Sequence, residues 1–86
     1  MNNMIKYNDK LNVLGNKIKF YREKNNLSLS QLSNKLMLIG IDIPKSSLFK
    51  IETGNRVIKD YELAAFTKVF KISPNILLKD FLKELE

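Results

Sequence analysis

The sequence predicts an all-α domain built as a bundle of five helices. Apolar residues recur at spacings of three and four along most of the chain, which is the period of helices with one buried face. No stretch alternates polar and apolar residues convincingly, so no strand is expected. Glycine, proline and helix-capping residues divide the chain into five segments of helical length.

Composition limits the classes of function. The 86 residues suffice for one small domain, and they include no cysteine and no histidine. Disulfides, imidazole and thiolate metal ligands, the usual general base and the thiol nucleophile are therefore missing. We expect neither an enzyme nor a cofactor. The net charge of +6 favours a polyanionic partner such as nucleic acid or an anionic membrane surface, although it also serves solubility.

The chain has no segment typical of a signal peptide or a membrane span. No unbroken apolar run is longer than that from Leu36 to Ile39, whereas a spanning helix needs about 20 apolar residues. We therefore expect a cytoplasmic protein without membrane contact. Residues 1–9 are polar and lack a capping signal, which predicts a flexible N-terminal arm before a single domain over residues 10–86.

The first helix is expected to begin at Leu11. An apolar stripe starts there and continues at helical spacing through Leu14, Ile18 and Tyr21. The helix should end at Asn25-Asn26, since asparagine tolerates turn conformations.

The second helix is expected over about residues 29–39. Ser28 and Gln31 have the spacing of a capping box, in which each side chain accepts from the other residue's backbone N–H. Gly40 should end this helix. The following residues should be extended, because Ile43 precedes a proline and is pushed away from helical angles.

The third helix is expected over about residues 45–53. Pro44 suits a helix start, and Gly54 is the expected stop, because many helices end in a left-handed residue that glycine adopts cheaply. Leu48 and Ile51 are three apart and should face the core. The outward face should then carry a basic and hydroxyl-bearing set: Lys45, Ser46, Phe49, Lys50 and Thr53.

The fourth and fifth helices follow short loops. The fourth should start at Lys59 or Asp60, with Phe66 and Phe70 on its buried side. Ser73-Pro74 predicts the start of the fifth, with serine as N-cap and proline at the first helical position.

The order of these signals resembles the helix-turn-helix family of phage repressor, Cro and bacterial Xre-type regulators. The similar segments are LGNKIKFYREKNNLSLSQLSNKL, then IPKSSLFKIETGNR, then DYELAAFTKVFKISPNILL. They cover about Leu14 to Leu78, and the most specific block is SSLFKIETGNR. The resemblance implies that the third helix is a recognition helix that enters the major groove of double-stranded DNA.

The resemblance also implies residue roles. Lys45, Ser46 and Lys50 are expected at base edges, and Phe49 either touches a thymine methyl or turns inward. Arg22 and Glu52 match a structural ion pair between the first helix and the end of the third. Phosphate contacts are expected from the start of the second helix and the end of the third: Ser28, Ser30, Thr53, Asn55 and Arg56.

The sequence departs from the family pattern at two places. Leu29 stands where the family often has a glutamine that contacts phosphate, and we expect this leucine to pack inward instead. The connection Met37 to Pro44 is longer than the family's usual turn, which leaves the docking angle of the third helix open.

The fifth helix has more apolar positions than one buried face needs. They either complete the core or form a homodimer surface, and the two-fold symmetry of operators favours the dimer. The residues expected at that surface are Ile76, Leu78, Phe81, Leu82 and Leu85.

These observations predict a sequence-specific DNA-binding transcriptional regulator, and we expect a repressor. No sensor domain fits in this length, so control would come from a regulatory protein partner, abundance or proteolysis. The alternative is a protein-interaction module of the same fold that does not read DNA, such as an antitoxin, an anti-repressor or an assembly factor.

Overall fold

The computed structural model describes residues 6–86, and five α-helices form the fold there. Among the described residues the only β pairing is an isolated bridge between Tyr7 and Lys10. The predicted all-α, five-helix class is therefore confirmed. In chain order the helices are α1 (Gly15–Lys24), α2 (Leu29–Leu38), α3 (Lys45–Glu52), α4 (Asp60–Phe70) and α5 (Pro74–Glu84).

One hydrophobic core joins all five helices. Helix α3 packs against both α1 and α2, while α4 packs against α1, α2 and α5. Leu48 and Ile51, the predicted inner face of α3, are fully buried. The core comprises Leu14, Ile18, Leu32, Leu36, Ile43, Leu48, Ile51, Ala65, Phe66, Phe70 and Leu77.

Helix α1 begins at Gly15, so the predicted start at Leu11 is wrong. The side chain of Asn12 explains the difference. Its Oδ1 accepts hydrogen bonds from the backbone N–H groups of Leu14, at 2.9 Å, and Gly15, at 2.7 Å. This side chain satisfies two of the free N–H groups at the helix start, and Leu11 stays outside the helix although it matches the apolar period.

The predicted capping box opens α2. Ser28 Oγ accepts from the Gln31 N–H at 3.0 Å, and Gln31 Oε1 accepts from the Ser28 N–H at 2.8 Å. The helix ends before Gly40, which has a φ of +87°.

The long connection from α2 to α3 is anchored to the core. Ile43 is fully buried, and Ser33 Oγ donates a hydrogen bond to the Ile43 carbonyl at 2.7 Å. Because these contacts come directly before Pro44, the start of α3 is fixed against α2 by packing.

Gly54 ends α3 as predicted, with a φ of +79°. The Gly54 N–H donates to the Ile51 carbonyl at 3.0 Å, and the Asn55 N–H donates to the Lys50 carbonyl at 2.8 Å. These two bonds form a Schellman motif, which satisfies carbonyls that the helix itself leaves free.

The predicted N-terminal arm is described only from Lys6, and residues 1–5 lie outside the described residues. Tyr7 and Lys10 exchange backbone hydrogen bonds of 2.8 and 2.9 Å. Asn8 and Asp9 between them have φ values of +50° and +64°, as in a type I′ turn. The Tyr7 ring meets Phe81 of α5 edge-on, with centroids 5.1 Å apart. This part of the segment lies as a turn against α5, and the mobility of the arm stays a prediction.

Gly15 lies directly against the backbone of α3. A methyl group at this position would overlap the carbonyl oxygen of Ile51 and come within 2.7 Å of that of Glu52. We therefore expect Gly15→Ala to push α1 and α3 apart and to destabilise the protein by about 1–3 kcal/mol, as overpacking does. Urea unfolding followed by circular dichroism measures this loss.

Asn16→Ala is the matched control for this prediction. Asn16 is the exposed neighbour of Gly15 in the same turn of α1, and alanine favours a helix. The control should unfold at the same or slightly higher urea concentration. Equal midpoints for the two variants would contradict the close approach of the helices.

Candidate nucleic-acid interface

The outward face of α3 carries the four residues predicted to contact bases. Lys45, Ser46, Phe49 and Lys50 are all exposed. Phe49 is 57% exposed, so of the two orientations left open by the sequence it takes the outward one. Leu48 and Ile51 fix this orientation of the helix, because both are fully buried on its other side.

An open groove of about 630 Å³ runs beside this face. Leu29 of α2 contributes to its wall and is half-buried against the core, which agrees with the expected inward packing of this residue. The groove therefore combines apolar surface with lysine ammonium groups. Its lining residues are Leu29, Lys45, Ser46, Phe49, Lys50, Thr53 and Asn55.

The start of α2 has the properties of an anion-binding helix terminus. Ser28 and Ser30 are exposed, and no acidic residue lies in the first turn. The first backbone N–H groups of a helix point outward and carry a partial positive charge, which favours phosphate. The two predicted phosphate contacts are therefore accessible at this end of α2.

Thr53 and Asn55 are used to close the end of α3. The Thr53 hydroxyl lies 3.0 Å from the Phe49 carbonyl, to which it donates, and it accepts from Asn55 Nδ2 at 3.0 Å. The hydroxyl has one hydrogen, which is already donated. Asn55 is exposed and keeps a second amide hydrogen for a phosphate.

Arg56 has a structural role that the sequence analysis missed. Its Nη1 lies 2.9 Å from Glu62 Oε1 and its Nη2 lies 3.0 Å from Glu62 Oε2, a two-point ion pair with a buried carboxylate. The structure therefore gives Arg56 a different partner from the predicted phosphate. A sequence signal existed, since Glu62 follows Lys59 at capping-box spacing and accepts from the Lys59 N–H at 2.9 Å.

The surroundings of Glu62 lower its pKa. Burial alone would raise this pKa, but hydrogen bonds from Arg56 and from the Lys59 N–H outweigh burial and hold it below the ordinary value of 4.5. A carboxylate with a lowered pKa in the folded state contributes stability above its unfolded-state pKa. This contribution is lost as the pH falls through the folded-state value.

We therefore expect part of the acid sensitivity of the protein to come from Glu62. Between about pH 7 and pH 3, Glu62→Gln should lose less free energy of unfolding than the wild type, although it is less stable at pH 7. Urea unfolding at both pH values measures the difference. Asp42→Asn replaces an exposed carboxylate and controls for net charge. An unchanged acid loss in Glu62→Gln would contradict the assignment.

Arg22 and Glu52 form the ion pair that the resemblance implies. Arg22 Nε lies 2.7 Å from Glu52 Oε2, and Nη2 lies 3.0 Å from Oε1. The Arg22 side chain is 12% exposed and that of Glu52 4%. Arg22 Nη1 also donates to the Leu27 carbonyl at 2.8 Å. Hydrogen bonding to Glu52 raises the pKa of Arg22. The pair connects α1, the loop before α2 and the end of α3.

The residues predicted for a dimer surface divide into two groups on α5. Leu78 is half-buried and packs on the core, and Phe81 is half-buried beside Tyr7. Ile76, Leu82 and Leu85 are exposed. Leu78, Leu82 and Leu85, the residue that directly follows α5, share one stripe at helical spacing. Ile76 lies on a different side of α5, because the two residues from Ile76 to Leu78 turn the helix by about 200°.

Comparison with known proteins identifies the family. A family model for the helix-turn-helix matches residues 18–77, which is more than half of the chain. The chain belongs to the helix-turn-helix family of phage repressor, Cro and Xre-type regulators. The matched region of this helix-turn-helix protein begins within α1 and ends within α5, so it includes all of α2 and α3. No curated protein sequence matches the chain.

Two solved structures are similar to this helix-turn-helix protein. One is the master regulator for biofilm formation SinR in complex with DNA, with 30% identity and a TM-score of 0.66, over 77% of this chain and 98% of that one. The other is a complex of the SinR and SinI proteins, with 28% identity and a TM-score of 0.66, over 86% of this chain and 68% of that one.

Within residues 6–86, no helix is both long and apolar enough to cross a membrane.

Proposed function

We propose that this helix-turn-helix protein is a sequence-specific DNA-binding transcriptional regulator that inserts α3 into the major groove. The main observation behind this proposal is the outward face of α3. It presents two lysines, a serine and an exposed phenylalanine beside an open groove, while the opposite face is fixed in the core. Lysine donates to guanine O6 and N7, serine donates to several bases, and an apolar ring contacts the thymine methyl.

Phosphate contacts would hold the protein in register on the duplex. The proposed donors are Ser28 and Ser30 with the free N–H groups at the start of α2, and Asn55 behind α3. Thr53 contributes if it exchanges its bond to the Phe49 carbonyl for a phosphate. Arg56 contributes less than the sequence suggested, since its guanidinium is engaged by Glu62.

We further propose that the protein represses transcription as a homodimer. The similarity to phage repressors favours repression over activation. Leu82 of α5 and Leu85 directly after it support pairing of two copies, because they are exposed apolar residues at helical spacing, next to the half-buried Leu78, and such a surface suits a second helix. Two copies would read half-sites about 10–10.5 base pairs apart, or a multiple of this spacing.

Selection of bound DNA from a random library tests sequence-specific binding and pairing of two copies. We expect an enriched palindrome, whose half-site spacing gives the dimer geometry. Affinity for the enriched sequence, measured by fluorescence anisotropy, should fall steeply with salt because phosphate contacts release counterions. If no sequence were enriched in the selected DNA and no binding occurred at low salt, sequence-specific DNA binding would be contradicted.

A second candidate function is binding of a regulatory or effector protein without DNA reading. One similar structure is the complex of SinR with SinI, which supports a protein partner for this fold. A protein complex held by apolar contacts should depend weakly on salt, whereas DNA binding depends on it strongly. The same salt titration therefore separates the two candidates.

A further inference from the structure

Residues 10–15 form a clamp segment against the C-terminal end of α3. Lys10 Nζ donates to the Thr53 carbonyl at 3.2 Å, and the Leu11 N–H donates to the Gly54 carbonyl at 2.8 Å. Gly15 lies so close to the last turn of α3 that a methyl group does not fit. The segment therefore holds the end of the candidate recognition helix from a distance of about 40 residues along the chain.

Asn12 makes the central contacts of the clamp segment. Its Oδ1 accepts from the N–H groups that start α1, as described above. Its Nδ2 donates to the Ile51 carbonyl and to the Arg56 carbonyl, both at 2.9 Å. One partly buried side chain therefore joins the start of α1 to the last turn of α3 and to the loop that follows it.

This position requires an amide. The last carbonyls of a helix lack partners within the helix. Asn12 gives the Ile51 carbonyl a second donor beside the Gly54 N–H, while it also caps α1. An aspartate side chain would accept from α1 but could not donate to α3 when ionised, and a serine has one hydrogen where the amide uses two. The two donor bonds lie on either side of Gly54, so they fix both the helix end and the loop.

We propose that Asn12 is a positioning residue for DNA reading, which sets the angle of α3 against α1. The inference depends on the proposed function. Lysine is a flexible point charge, so discrimination between bases by Lys45 and Lys50 requires a helix backbone held in one orientation. The Arg22–Glu52 ion pair holds one side of the α3 terminus, and Asn12 holds the terminus from the start of α1.

Asn12→Asp separates the two halves of this role. Its carboxylate keeps the cap of α1 and places an oxygen against the carbonyls of Ile51 and Arg56, which repels the end of α3. We expect the ratio of specific to non-specific DNA affinity to fall at least about tenfold, the size of a lost base contact. Partial unfolding alone would lower the specific and the non-specific affinity by the same factor, so it would leave their ratio unchanged. Anisotropy titrations with the selected sequence and with a scrambled duplex measure it.

Asn16→Asp is the matched control for net charge. Asn16 is exposed in the first turn of α1, four residues after Asn12 in the sequence, so the substitution adds the same charge near the same helix terminus. The control should retain the wild-type ratio. An equal loss in both variants, or no loss in Asn12→Asp, would overturn the positioning role.

Hydrogen exchange provides a readout without DNA. The Gly54 and Asn55 amides close the end of α3, and Asn12→Asp should speed their exchange at least about tenfold, whereas the Ile18 amide in α1 keeps its protection. If Asn12→Asp does not fold, Asn12→Ser removes the amide donors without adding charge and should show the same pattern. Unchanged exchange at Gly54 overturns the inference. Faster exchange in a protein that selects no DNA supports the clamp and contradicts only the proposed function.

Discussion

Replacing both Lys45 and Lys50 by glutamate is expected to lower specific DNA affinity at low salt by at least about a hundredfold. Each lysine contact with a base edge is worth about 1–3 kcal/mol, and the glutamates add repulsion from the phosphates. Both lysines are exposed on α3, so the fold should not change. Fluorescence anisotropy with the selected sequence measures the affinity, and circular dichroism checks the fold.

Lys68→Glu with Lys79→Glu is the matched control for this pair. Both are exposed lysines, on α4 and α5, away from the groove beside α3, and the double substitution changes the net charge by the same amount. The control variant should weaken DNA binding only through the long-range electrostatic field of the protein. Equal losses in the two double variants would mean that binding follows total charge, and the assignment of α3 as the reading helix would then be wrong.

The parts of the fold that the sequence predicts are those with local signals. Ser28 with Gln31, Gly54, and Ser73-Pro74 each mark a helix boundary within a few residues of sequence, and each boundary agrees with the structure. The buried positions Leu48 and Ile51 follow in the same way from the helical period. Local rules suffice there because capping and amphipathicity are decided within one or two turns.

The start of α1 could not be predicted from local signals. Leu11 matches the apolar stripe, but the helix begins at Gly15 because Asn12 folds back to cap it and to reach carbonyls 39 and 44 residues away. The close approach of Gly15 to α3 is equally non-local. A single sequence shows no pattern for such contacts, because the two partners come together only in the folded protein.

In the candidate site, too, local patterns predict some residues and not others. The outward set on α3 follows from its period, and Lys45, Ser46, Phe49 and Lys50 are exposed as that period requires. For residues beyond the helix, the helical period does not predict where a side chain points. Thr53 turns back to the Phe49 carbonyl, and Arg56 pairs with Glu62, since both donors have intramolecular partners within reach.

Breaking the Arg22–Glu52 ion pair is expected to destabilise the protein strongly. Arg22→Ala leaves the Glu52 carboxylate, which is 4% exposed, without its counter-charge. This carboxylate lies at the C-terminal end of α3, where the helix dipole already disfavours negative charge. Removing one partner of a buried pair costs about 3–5 kcal/mol, a large fraction of the roughly 5–15 kcal/mol that stabilises a typical domain. Thermal unfolding should show a midpoint lowered by at least about 10 °C.

Two further variants decide whether this loss comes from a stranded charge. In Arg22→Met with Glu52→Gln no buried charge remains, so the double variant should be more stable than Arg22→Ala. Lys17→Ala breaks the exposed pair between Lys17 and Asp80, and its midpoint should hardly move because water screens such pairs. If the double variant were as unstable as Arg22→Ala, the lost hydrogen bond to the Leu27 carbonyl would account for the loss and the stranded charge would not, because methionine keeps the apolar stem of the arginine.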